Sequence, residues 1–223
     1  MVLDITKTDK ELGESVNAYL RKLGKNTPTI KGKFFATEDR IKFIEESFTD
    51  IMNDLNLDLK DDSLKETPKR IAKMFVNELF WGLEDKNFPK ITTVENKMNY
   101  DEMILIKNIN VSSTCEHHFV TFQGVAHIAY IPNKKIIGLS KFNRIVDYFS
   151  RRPQIQERLT EQIYYALSYI LDTEDIAIVM NATHFCVKTR GVQDQTSNTT
   201  TSKLGGQFKK NASARQEFLE LIK

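Results

Sequence analysis

The chain is 223 residues long, enough for one domain or at most two with a buried core of their own. At 40% hydrophobic and 28% charged residues, with nine glycines and five prolines, its composition excludes collagenous, disordered and membrane-embedded classes. Lys and Arg number 32 against 30 Asp and Glu, a net charge of +2, which leaves no general electrostatic footprint for nucleic acid or a membrane surface. Any anionic partner must be met by a local basic pocket.

The opening residues mix acids and bases without an apolar leader, and the longest apolar runs, such as Ile176 to Met180, are far too short to cross a bilayer. A cytoplasmic protein is the expectation, and there a lone disulfide between the only two cysteines, Cys115 and Cys186, has little purpose.

In chain order, Leu12, Val16, Tyr19, Leu20 and Leu23 recur at helical spacing over residues 9–23, and Gly24 is a stop. Residues 25–33 read as a linker. A second amphipathic helix is expected from near Thr37, carrying Ile41, Ile44, Phe48, Ile51, Met52 and Leu55. A third opens at Thr67-Pro68, with Thr as N-cap and Pro in the first helical position, and runs towards Gly82. Residues 1–100 are therefore a mainly helical region and residues 101–223 a second unit. Met103 to Val111 and Phe122 to Ile131 switch to β-branched and aromatic residues joined by a polar hairpin segment. Helical spacing returns from Leu139 to Phe149, breaks at Arg152-Pro153, and resumes from Ile155 to Ile170. Ile176 to Val187 is strongly β-prone, Thr196 to Leu204 suits a polar or edge strand, and Ser213 to Ile222 closes as a short helix. Strand, strand, helix, helix, strand, strand is the order of an antiparallel α+β domain, not of a parallel doubly wound sheet.

Three of the four histidines and both cysteines fall into Cys115-Glu116-His117-His118 and His184-Phe185-Cys186, each at the end of an expected strand. Cys115 and His118 have the C-x-x-H spacing of a metal-binding turn, and Cys186 completes a Cys₂His set if the strands are neighbours. Three protein ligands leave a fourth position for water, the arrangement of a catalytic zinc site. His117 and His184 are then adjacent acid-base groups. The same residues also suit buried thiols and satisfied turn histidines, and spacing alone does not separate the two. His127, alone in an alternating strand, reads as structural.

A second constellation is Gly138-Leu139-Ser140-Lys141-Phe142-Asn143-Arg144. It places Ser140, Lys141 and Arg144 within one turn of a helix N-terminus, where free N–H groups also favour anions. Arg190 follows the second Cys/His cluster closely. A solvated helix face is the plainer reading of these charges. Gln156 and Glu157 suit either a dipole-favoured first turn or recognition of a guanine edge.

Together with Arg151-Arg152-Pro153-Gln154-Ile155-Gln156-Glu157-Arg158-Leu159, Arg190-Gly191 and Thr67-Pro68-Lys69-Arg70-Ile71-Ala72, these motifs resemble the GTP cyclohydrolase I family over roughly residues 37 to 208. Residues before that stretch and the last helix lie outside the likeness. The resemblance implies a tunnelling fold, a four-stranded antiparallel sheet with two helices inserted between its second and third strands, preceded by an N-terminal helical region. It further implies a homodecamer of two stacked pentamers with active sites at subunit interfaces. The implied reaction takes GTP and water to formate and 7,8-dihydroneopterin triphosphate, the first step towards tetrahydrofolate.

By the same resemblance Cys115, His118 and Cys186 hold Zn²⁺, whose water attacks C8 of guanine, and His117 protonates N7 as general acid. His184 assists at the ribose oxygen, and Ser140 is a candidate participant in the rearrangement. Glu157 with Gln156 reads the guanine edge. Lys141, Arg144, Arg190 and, from a neighbouring subunit, Arg70 hold the triphosphate. No P-loop motif occurs, so the GTP is dismantled instead of serving as an energy source. A zinc-stabilised nucleotide-binding module without activity, and another pterin or deazapurine enzyme of the same fold, are the alternatives. Regulation by a partner or by end product is not legible.

Overall fold

A computed structural model describes residues 3–30 and 34–223, so the last part of the linker expected over residues 25–33 lies outside the described residues. The first long helix, α1 (Lys10–Lys22), begins where the Asp9 carboxylate accepts the N–H of Leu12 at 3.0 Å, and the chain leaves it through Gly24 at φ +67°, a left-handed turn suited to glycine. Helix α2 (Thr37–Asp54) and helix α3 (Thr67–Met74) follow. Helix α3 starts one residue earlier than expected. Glu66 takes the cap position and Thr67 is the first helical residue, which still leaves Pro68 in a turn whose N–H groups have no intrahelical partner.

The regular helix also stops at Met74 instead of continuing to Gly82. Phe80 N donates to Phe75 O at 3.0 Å, a five-residue step that widens the turn over Phe75–Leu79, and Trp81–Leu83 then tightens into a 3₁₀ turn. Widening lets Phe75 and Phe80 meet edge to face at 5.2 Å, with Phe48 against Phe75 at 5.5 Å. Aromatic packing wins over helical periodicity here.

Strand β1 (Thr93–Glu95) precedes the long strands β2 (Ile104–Cys115) and β3 (Thr121–Tyr130), and β4 (Lys135–Ile137) returns to pair with β1. Helix α4 (Ser140–Ser150), the short β5 (Pro153–Gln154) and helix α5 (Gln156–Leu171) lead to β6 (Ile176–His184) and the single turn α6 (Phe185–Lys188). Strand β7 (Thr199–Leu204) and helices α7 (Gly206–Lys210) and α8 (Ala212–Leu221) complete the chain. The main sheet runs β5-β2-β3-β6-β7, with β2–β3, β3–β6 and β6–β7 antiparallel and β5 parallel to β2 over two residue pairs. This is a mixed α+β fold in which α4 and α5 intervene between the second and third long strands, as the sequence order implied.

Three strand boundaries differ from expectation, the first being β2, which runs on to Cys115 instead of ending at Val111. Strand β6 ends at His184, because the chain coils into α6 with Thr189 N donating to Phe185 O at 2.9 Å. Strand β7 begins at Thr199, since the Asp194 carboxylate takes the N–H groups of Thr196 and Ser197 at 2.9 and 3.3 Å and holds a turn there. Strands β1, β4 and β5 and helix α7 are too short to leave a periodic trace.

One face of the sheet buries Ile109, Val111, Phe122, Ile128 and Met180 against Ile145 and Phe149 of α4, Leu159, Ile163 and Leu167 of α5, and Val16 and Leu20 of α1. Each buried side chain of this size contributes roughly 2 kcal/mol. The opposite face is covered by Phe208 and Phe218, whose rings lie 5.8 Å apart over Ala129, Ala177 and Val179. At Gly124 the β3 and β6 backbones approach so closely that a Cβ would stand 1.9 Å from Asn181 O, so only glycine fits. The register Ser113↔Phe122↔His184 brings the ends of β2 and β6 and the start of β3 to one edge. Among the described residues no helix is long and apolar enough to cross a membrane.

Candidate active site

At that edge β2 delivers Cys115, whose N–H donates to Val120 O at 2.9 Å while its carbonyl accepts from Phe119 N at 2.9 Å, closing a tight loop over residues 116–119. Phe119 takes φ +55° to complete the turn and packs against Phe80 at 5.5 Å and Phe75 at 6.3 Å, tying the loop to the segment after α3. Strand β5 lies alongside, and Glu116 N donates to Gln154 O at 3.0 Å.

Cys115 Sγ, Cys186 Sγ and a ring nitrogen of His184 all lie within 4.8 Å of one another. Cys115 is buried and Cys186 half-buried, and both are free thiols. Burial, and next the neighbouring Cys115 thiol, push the Cys186 pKa up against the weaker opposing pulls of a backbone N–H and of Arg190. Two soft sulfurs this close, with imidazoles beside them, suit zinc, and the thiols fit such an ion.

His118, expected as the third ligand from its C-x-x-H spacing, stands outside this group. It is exposed, and its Nε2 is 2.6 Å from an Arg190 guanidinium nitrogen. A guanidinium only donates, so His118 Nε2 presents its lone pair to Arg190. His117 is exposed with Nδ1 3.6 Å from Cys115 Sγ, beside the thiol group as expected of an adjacent acid-base residue. His184 stacks on Phe122, ring centroids 4.7 Å apart and planes at 14°, and burial lowers its pKa against the opposing pull of Glu157. Arg190, expected to reach the phosphate cradle at the Ser140 helix start, lies instead at the Cys/His edge against His118.

Of the pair expected to face guanine, Glu157 is exposed in the first turn of α5, where a carboxylate complements the helix dipole. Gln156 departs from the expectation. It is 1% exposed, and its amide is spent inside the protein, Nε2 on Met180 O, Thr199 O and Thr201 Oγ1 and Oε1 against His184 Nε2.

The second constellation sits elsewhere. Helix α4 ends near the Cys/His edge, where Ser113 Oγ donates to Ser150 O at 2.7 Å, and its eleven residues carry its start roughly 15 Å away at 1.5 Å per residue. Ser140, Lys141 and Arg144 are at that far end, beside Phe142 packed on Tyr130 at 5.6 Å, where β3 ends and β2 begins. The Lys141 pKa is lowered, first by burial and then by Arg144 and Lys90, which marks three crowded cations suited to an anion. Arg70 is exposed on α3. One chain thus holds its Cys/His group and its cationic helix start at opposite ends of the sheet.

Sequence reasoning did not single out Lys90, the Phe122 stack, or the two-pronged pair of Arg158 with Glu116, at 2.6 and 3.2 Å. Glu116 and Arg158 lay inside the quoted motifs, but only the fold shows that they face each other. Arg158 is the first cause of the lowered Glu116 pKa.

An α+β protein with a Cys/Cys/His group at a sheet edge is the class these observations define. The sequence model of GTP cyclohydrolase I matches residues 44–223. A GTP cyclohydrolase 1 from Aeromonas hydrophila subsp. hydrophila is 57% identical over 208 residues, covering 93% of this chain and 95% of its own. One from Serratia proteamaculans (strain 568) is 55% identical over 208 residues, covering 93% and 94%. One from Shewanella sp. (strain ANA-3) is 54% identical over 213 residues, covering 96% and 98%. The chain belongs to the GTP cyclohydrolase I family. The likeness is also wider than the motifs implied, reaching through the last helix and into residues before 37.

Proposed function

We propose that this protein is a zinc-dependent GTP cyclohydrolase that converts GTP and water to formate and 7,8-dihydroneopterin triphosphate, on a tunnelling fold. The observation that carries the reading is the Cys115, Cys186 and His184 group within 4.8 Å, in a chain of this family. Cys115 and Cys186 would hold the ion, with His118 as third ligand once its Nε2 lone pair leaves Arg190. When bound, zinc supplies a Lewis acid and an activated water for attack at C8.

The chain's own groups do the remainder. His117, beside the thiols and open to solvent, would hold the proton for N7, and His184 would handle a proton at the ribose oxygen. Glu157 would accept the paired N–H donors of the guanine edge, a pattern adenine cannot match without leaving buried groups unpaired. Lys141, Arg144, Arg190 and Arg70 would neutralise the triphosphate, and Ser140 would join them at the start of α4. Because the cationic helix start and the Cys/His edge lie at opposite ends of one chain, a complete site would combine subunits, in keeping with a decamer of two stacked pentamers. Residues 1–100 would form the helical region and residues 101–223 the unit bearing the metal site. Two free thiols suit a reducing, cytoplasmic setting.

The test is incubation with GTP, following formate and the pterin product with and without a chelator. Equal yields of both, abolished by chelation and restored by zinc, are expected. Intact GTP after long incubation with folded, zinc-loaded protein would reduce the site to nucleotide binding.

A further inference from the structure

Gln156 opens α5 with its side chain turned inward, and the surrounding atoms leave its amide one orientation. Nε2 lies 3.1 Å from Met180 O and 3.0 Å from Thr199 O. Both are carbonyl oxygens that only accept, so a flipped amide would set oxygen against oxygen twice. A third contact runs from Nε2 to Thr201 Oγ1 at 3.1 Å, a hydroxyl shared with Thr160 Oγ1 at 2.7 Å.

With Nε2 so placed, Gln156 Oε1 faces His184 Nε2 at 2.9 Å. An amide oxygen has no proton to give, so the imidazole must donate. In the neutral ring the hydrogen is then on Nε2 and the lone pair on Nδ1. The Phe122 ring, stacked on the imidazole at 4.7 Å, keeps the ring from swinging away.

We propose that Gln156 is a positioning residue that sets the tautomer of His184, and so decides which ring nitrogen is free to take a proton, instead of reading the guanine edge. The inference rests on the reading above that His184 serves proton transfer. A histidine held in the wrong tautomer keeps its place and loses its chemistry, whereas a lost substrate contact weakens binding.

The test has two arms on the 223-residue protein. In the first, nitrogen NMR of wild-type protein carrying ¹⁵N-histidine, with the His184 signals identified by their loss in His184→Gln, should show a protonated Nε2 and an unprotonated Nδ1. The opposite tautomer would overturn the proposal. In the second, Gln156→Leu should lower kcat about 100-fold while KM for GTP stays within about threefold, with zinc per chain unchanged. Gln156→Glu, whose buried carboxyl can donate to one carbonyl and accept from His184, should recover much of that loss. A raised KM with kcat intact would return Gln156 to guanine recognition. If Gln156→Leu does not fold, the wild-type spectrum decides alone. Should wild-type protein leave GTP intact, the proposed activity falls while the tautomer is still read directly.

Discussion

Replacing Arg158 by methionine removes the guanidinium from Glu116 while keeping most of the aliphatic stem. The two side chains are 17% and 25% exposed and meet through two hydrogen bonds, at 2.6 and 3.2 Å, so the pair is better shielded than a typical surface bridge. Charge-assisted bonds of this kind are stronger than neutral ones, but partial exposure and screening reduce the gain. The single substitution should cost about 2 kcal/mol, and the coupling in a double-mutant cycle with Glu116→Gln should be about 1 kcal/mol.

Its pH dependence follows from the depressed pKa of Glu116. A carboxylate whose folded pKa lies below its unfolded value contributes fully above the unfolded value, about 4.3, and the contribution fades as pH falls through the folded value. The difference between wild type and Arg158→Met should therefore be constant near neutrality and shrink below about pH 4. Urea unfolding at fixed protein concentration, across the four members of the cycle, measures both quantities. A coupling under about 0.3 kcal/mol, or a difference that grows on acidification, would refute the argument.

Three further outcomes are expected. Cys186→Ala should lose both zinc and turnover, and His117→Ala should keep zinc and lose turnover, as metal analysis and formate release would show; loss of metal from the histidine variant would contradict the separation of roles. Chains carrying Lys141→Ala and chains carrying Cys186→Ala, each inactive alone, should regain activity when co-assembled, with roughly a quarter of interfacial sites intact. No recovery in verified mixed oligomers would place both residues in one chain's site. His127, buried with Nδ1 accepting from Asn108 N at 3.4 Å, has a pKa lowered first by burial and then by Lys107. The unfolded chain then takes a proton that the folded one refuses, so stability should fall as pH drops below about 6.5, and a His127→Gln variant should lose that slope in denaturant titrations.

Much of this protein is legible in its sequence because periodicity and caps are local. The apolar spacing of α1, α4 and α5, the β-branched runs of β2, β3 and β6, and the break at Arg152-Pro153 all report the fold before any contact is known. The clustering of cysteine and histidine at two strand ends likewise points to a metal-type site, since few other roles concentrate those residue types.

What the sequence could not carry was long-range or competitive. The break of the third helix at Met74 goes with Phe48 and Phe119, both far from it in the chain, crowding Phe75. Side-chain direction was equally hidden. Gln156 and Glu157 are neighbours of similar polarity, yet helix geometry turns one into the sheet towards Met180 O and Thr199 O and leaves the other in solvent. Sequence also left open how far the Cys/His clusters lie from the Ser140 helix start within one chain. The sheet register and the length of α4 set them at opposite ends, because a helix laid along a strand separates its two ends as rigidly as the strand does.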